Sequence, residues 1–150
     1  MAEPKRDGLK MNRNDFADCL AEGQKWQEDG HFSQAIHHYT QAIQLNPQAA
    51  ISYEMRAVAY YDQGQYEAAL SDFSEAIQLP PYNDVAYWGR GKVFAALDDH
   101  LWAVNSYNRA IELNDEDATY YQDRAAALRQ LGWLAEAKRD EALAARLGDL

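Results

Sequence analysis

Small, aromatic and polar residues return along this chain at intervals of 34 residues, in registers that open at Phe16, Ala50, Asp84 and Ala118. The eighth place of each register holds Gly23, Ala57, Gly91 and Ala125, and the eleventh holds Trp26, Tyr60, Phe94 and Leu128. The twentieth holds Ala35, Ala69, Ala103 and Ala137, and the twenty-seventh Ala42, Ala76, Ala110 and Ala144. Between the last two stand Tyr39, Phe73 and Tyr107, replaced in the fourth register by Glu141. Short side chains at the eighth and twentieth places let two helix backbones approach, while the residues of the eleventh place fill the wider gaps beside them. Segments such as Ala42-Ile43-Gln44-Leu45 and Ala76-Ile77-Gln78-Leu79 keep their apolar residues on one helical stripe. Asp29-Gly30, Gln63-Gly64, Asp98-Asp99 and Leu131-Gly132 mark the turns, where glycine can close a helix in the left-handed conformation and Asp can cap the next one. Pro47 and Pro80-Pro81 follow second helices at points where proline cannot continue them. The pattern predicts eight helices, at about 15–29, 33–46, 48–63, 66–79, 84–97, 100–113, 117–131 and 134–147, and no strand. A repeat of this length is the signature of a stacked solenoid, an architecture that serves binding far more often than catalysis.

These residues at this spacing resemble the tetratricopeptide repeat family, over nearly the whole chain from about Asp15 to Leu147. The resemblance implies an all-α fold: a right-handed superhelical solenoid of four helix-turn-helix pairs. Its repeats would span 16–49, 50–83, 84–117 and 118–150, forming one domain over 15–150. It also implies that the first helix of each pair lines a concave groove that holds an extended or helical peptide.

Composition narrows the function. One domain accommodates 150 residues, and 47% hydrophobic residues supply a continuous core. The chain has no apolar run long enough for a transmembrane helix or a signal peptide, and Cys19 stands alone, so a cytoplasmic protein without disulfides is expected. Residues 1–14 fall outside the repeat and read as a disordered, slightly basic tail. The net charge of −10 argues against nucleic acid, because neutralising phosphates requires a basic face.

No constellation of catalytic or cofactor-binding residues emerges. His37 and His38 are adjacent, with His31 nearby, but neighbours on a helix point about 100° apart and cannot chelate one ion well without a third ligand. No nucleophile elbow or phosphate loop is present, so no enzyme, no metal and no cofactor is expected. A set of opposed charges is more informative. The seventh places hold Glu22, Arg56, Arg90 and Arg124, and the twenty-third hold His38, Asp72, Ser106 and Asp140. Arg56–Asp72, Arg124–Asp140 and, with signs swapped, Glu22–His38 are expected to tie first helix to second, leaving Arg90 without a carboxylate.

In the family resembled, the second, fifth, ninth, twelfth and thirteenth places of each first helix face the groove. They put Ile51, Val58, Tyr61, Val85 and Trp88 in an apolar patch of the kind that marks an interaction site. The expected partner-binding residues are Glu54, Val58, Tyr61, Val85, Trp88, Lys92, Gln122 and Arg129, with Trp88 either the main anchor contact or, alternatively, core packed between adjacent first helices. The acids Glu28, Glu54, Asp62 and Asp123 outnumber the nearby cations Lys92 and Arg129, so the expected ligand is a protein segment with apolar anchors flanked by Lys or Arg. Co-chaperones of this family hold Glu-Glu-Val-Asp tails with a clamp of Lys, Asn and Arg. The matching places here are Leu20, Gln24, Met55, Val85 and Gly89, or one repeat on, Glu54, Val58, Gly89, Thr119 and Asp123, and neither set is a cationic clamp. The chain thus reads as an adaptor, scaffold or assembly factor. The alternatives are a self-associating structural solenoid and the regulatory subunit of an enzyme complex. At the open end, Glu141 suits a helix with no successor, while Leu143 and Leu147 suggest weak pairing of an otherwise monomeric protein.

Overall fold

A computed structural model describes residues 13–149. The chain forms α1 (Arg13–Glu28), α2 (Phe32–Leu45), α3 (Ala50–Asp62), α4 (Tyr66–Gln78), α5 (Asp84–Ala96), α6 (His100–Leu113), α7 (Ala118–Gln130) and α8 (Leu134–Gly148). No strand occurs among the described residues. First helices open at Ala50, Asp84 and Ala118 and second helices at Phe32, Tyr66, His100 and Leu134, so the 34-residue phase holds throughout. The expected tail over 1–14 lies outside the described residues except for Arg13 and Asn14, which begin α1.

All four turns close in the same way. The carbonyl of the eleventh-place residue accepts from the amide of the sixteenth: His31 to Trp26 at 2.8 Å, Gln65 to Tyr60 at 2.8 Å, Asp99 to Phe94 at 2.9 Å and Trp133 to Leu128 at 2.9 Å. That closure requires a left-handed residue between them, which is Gly30, Gly64 and Gly132 in three turns and Asp98, with φ of 60°, in the third. Neither Asp29 nor Asp99 caps the following helix by its side chain, contrary to expectation. Side-chain caps sit instead between repeats, where Asn83 accepts from Ala86 N at 2.9 Å and Asp117 from Thr119 N at 2.8 Å.

Each first helix packs on its own second helix and on the second helix before it. First helices of adjacent repeats also touch (α1 with α3, α3 with α5, α5 with α7), whereas second helices do not approach one another among the described residues. The first helices therefore form the inner, concave layer and the second helices splay apart on the outer side. The alanines of the twentieth place are fully buried at the crossings. At Gly23 and Gly91 the ring of Tyr39 or Tyr107 occupies the space a Cβ would need, 2.4 and 2.5 Å from its position. Phe73 leans the other way, onto Gly89 of the next repeat.

Candidate functional site

The opposed charges of the seventh and twenty-third places fix the geometry of each repeat. Arg56 donates to both oxygens of Asp72, at 2.7 and 2.8 Å, and Arg124 to both oxygens of Asp140, at 2.7 Å each. Both guanidiniums also reach back one repeat, to Thr40 Oγ1 at 3.1 Å and Asn108 Oδ1 at 2.8 Å, so each arginine joins three helices. Hydrogen bonding from Arg56 to Asp72 raises the guanidinium pKa further. Arg90 reaches only the Ser106 hydroxyl, at 3.2 Å, and packs over the ring of Tyr87; burial lowers its pKa. Glu22 and His38 form neither a hydrogen bond nor an ion pair. Glu22 is exposed, and His38 packs edge-on against His37. With a short acid on α1 and a ring on α2, that crossing is bridged by apolar packing around Tyr39 instead.

The concave face exposes Ile51, Val58 and Val85 at 47%, 40% and 44%. Ile51 and Val58 border a cleft of 690 Å³ between repeats one and two, lined also by Leu20, Gln24, Gln27, Tyr39 and Met55. Tyr39 donates to Gln27 Oε1 at 2.8 Å, and burial pushes its phenol up to about 12. A second, more polar cleft of 310 Å³ lies between repeats three and four, lined by Tyr61, Lys92, His100, Tyr107, Asp123 and Gln130. His100 replaces the aromatic seen at this place in Phe32 and Tyr66, and its buried Nδ1 has no partner among the described residues. That substitution was the available sign of a polar cleft, and sequence reasoning passed over it.

The expected groove residues divide into three kinds. Val58 and Val85 are open on the concave surface, and Gln122 is exposed on α7. Tyr61, Trp88 and Lys92 form a half-buried cluster, with Lys92 Nζ 4.7 Å from the Trp88 ring and 5.2 Å from that of Tyr61. Trp88 is held in place: its indole N–H donates to Asp123 at 2.6 Å and its ring packs beside Tyr120. Glu54 and Arg129 differ from the free rim charges expected of them. Glu54 is only 7% exposed and accepts from Asn83 Nδ2 at 2.5 Å; burial raises its pKa against the opposing effect of that bond. Arg129 is exposed but gripped by Glu141 at 2.6 and 2.8 Å, because the acid in the aromatic place of the fourth repeat reaches the twelfth place just as Tyr39 does in the first.

At the places of the co-chaperone clamp, Leu20, Met55 and Val85 present apolar groups, and Gly89 is pinned by Phe73, whose ring stands 2.4 Å from where a Cβ would be. Among the described residues no three His, Cys, Asp or Glu are grouped to hold a metal, and no helix is long and apolar enough to cross a membrane.

Residues 20–84 match the sequence model of the tetratricopeptide repeat family. The chain has the all-α tetratricopeptide-repeat fold. The fold agrees with solved structures of that architecture. The crystal structure of MamA is 23% identical, with a TM-score of 0.85 over 94% of this chain and 82% of that one. The first tetratricopeptide domain of Spaghetti (RPAP3), bound to the HSP90 peptide SRMEEVD, is 24% identical, with a TM-score of 0.78 over 83% of this chain and 99% of that one. The second such domain of human RPAP3, in complex with the HSP70 peptide SGPTIEEVD, is 22% identical, with a TM-score of 0.73 over 76% of this chain and 95% of that one. No curated protein sequence matches the chain.

Proposed function

We propose that this tetratricopeptide-repeat protein is an interaction module, an adaptor or assembly factor, that takes a segment of a partner protein in its concave groove. The observation that carries the reading is the exposed strip Ile51, Val58 and Val85 beside the 690 Å³ cleft, apolar surface turned to solvent on the inner layer of the solenoid. Two similar structures hold peptides of other proteins, which supports the same use here. Those peptides end in Glu-Glu-Val-Asp, and this groove favours another chemistry. Leu20 and Met55 offer a carboxylate no donor, and Gly89 has no room for a long cation. Glu28 and Asp62 are exposed, while Arg129 is neutralised by Glu141. The ligand is therefore a segment with one or two large apolar side chains flanked by Lys or Arg, steered by the acidic rim.

Titration calorimetry with two synthetic peptides tests this. One carries two leucines flanked by lysines, and the other is the acidic SRMEEVD. The first is expected to bind, and Val58→Asp to weaken it by about 30-fold, equivalent to roughly 2 kcal/mol. Preference for the acidic peptide, or undiminished affinity in Val58→Asp, would overturn the reading.

A further inference from the structure

We infer that the outer side of repeats three and four is a second docking face, which takes a cationic amphipathic segment of a partner protein through Leu101, Trp102 and Trp133. These side chains are 57%, 55% and 46% exposed and line a cleft of 330 Å³ between α6 and the turn that leads into α8. The other repeats show that the fold does not require them. At the places of Leu101 and Trp102, the first repeat has Ser33 and Gln34, the second Glu67 and Ala68, and the fourth Ala135 and Glu136. At the place of Trp133 the other three have His31, Gln65 and Asp99. Trp102 stacks on Phe94, with centroids 6.1 Å apart and planes at 28°, and still stays 55% exposed. Two half-exposed indoles on one cleft are the composition of a binding centre rather than of a solvated helix face.

The surrounding charge selects the occupant. Asp99 precedes α6 and Glu136 lies in the first turn of α8, both exposed, while Asp98 turns toward His100 of the inner cleft. The bases of α8, Lys138 and Arg139, take the places of Val104 and Asn105, the side a second helix turns toward its successor. They therefore face the end of the stack, away from this cleft. A second copy is disfavoured, because a two-fold contact would bring the same acids together on chains of net charge −10. A segment with large apolar side chains on one face and Lys or Arg on the other complements both the cleft and its rim.

This face is separable from the groove, and the test separates them. A displayed library of random 16-residue peptides is selected on the wild-type chain, and the binders are measured on two variants. Leu101→Glu/Trp102→Ala/Trp133→Gln installs the side chains of repeat two, and Val58→Asp alters only the groove. A class of peptides rich in Lys, Arg and large apolar residues is expected, losing at least tenfold on the triple variant and nothing on Val58→Asp. Should the triple variant lose helicity by circular dichroism, Trp133→Gln alone serves, with a smaller loss of the same class. Binders indifferent to these changes would overturn the inference. So would a concentration-dependent dimer, or pelleting with phosphatidylcholine vesicles, that the triple variant abolishes. If the class survives while no peptide responds to Val58→Asp, the groove reading fails and this one stands.

Discussion

Ser106→Asp is expected to stabilise the protein, against the general rule that a new charge in a buried site destabilises it. Ser106 is fully buried and offers Arg90 one hydroxyl at 3.2 Å, where Asp72 and Asp140 give Arg56 and Arg124 two oxygens each. Arg90 is thus already desolvated without a carboxylate partner, and the drop in its pKa has burial as its main cause. The substitution exchanges one hydrogen bond to a neutral group for two charge-assisted bonds worth about 1.5–3 kcal/mol each. Against this stands the desolvation of the carboxylate, on the order of several kcal/mol, in a site where Asp72 keeps 6% of its side-chain exposure. Because the cation's half of that cost is present in both proteins, the balance favours the variant by about 1 kcal/mol, or roughly 2–4 °C in Tm for a chain of this size. The reciprocal change, Asp72→Ser, strips Arg56 of its carboxylate. It should cost about 2–3 kcal/mol, below the range for wholly buried pairs because the Arg56 side chain retains 18% exposure. Urea unfolding followed by far-UV circular dichroism measures both, with hydrogen exchange of α5 reporting the local change, since a solenoid can open repeat by repeat. A lowered Tm in Ser106→Asp, or a negligible cost in Asp72→Ser, would show that the reasoning from one repeat to another fails.

Gly91→Ala should destabilise by about 1 kcal/mol or more, since its Cβ would lie 2.5 Å from the Tyr107 ring and overpacking outweighs the gain in helix propensity; thermal melts check it. Glu54→Gln should raise stability at neutral pH, because burial lifts the folded-state pKa of Glu54 above its ordinary 4.5. The penalty on the wild type sets in as pH rises through that ordinary value and saturates above the folded one, so the two proteins should converge below it; urea titrations at pH 3.5 and 7 decide. At the open end, Leu143→Glu should remove any weak self-association seen by sedimentation equilibrium, and a tight dimer that survives it would refute pairing through α8.

Helix boundaries and the ties between the helices of one repeat were legible because they depend on residues 16 apart within a register whose phase never slips. Arg56–Asp72 and Arg124–Asp140 follow from that spacing alone. The failure at Glu22–His38 has the same origin. Place identifies who faces whom, but a short carboxylate and an imidazole lack the reach that lets a guanidinium span the crossing. Asp98 in the left-handed position belongs to the same class, a place whose geometry is invariant although its residue is not.

Two polar contacts of the concave face were harder to read because they run between repeats, with the partner one residue beyond a full period. Gln27 meets Asp62 and Trp88 meets Asp123, each 35 residues on, since stacked first helices are displaced relative to one another. The same offset joins Leu20 to Met55, and both line the larger cleft. At the same offset from Glu54 stands Gly89, which has no side chain to offer, and Glu54 is bonded to Asn83 and withdrawn from the rim. One rule of displacement thus accounts for the different characters of the two clefts. An apolar pair opens the groove at repeats one and two, and a hydrogen-bonded indole and carboxylate close its floor at repeats three and four, which leaves Val58 and Ile51, rather than Trp88, as the surface most free to meet a partner.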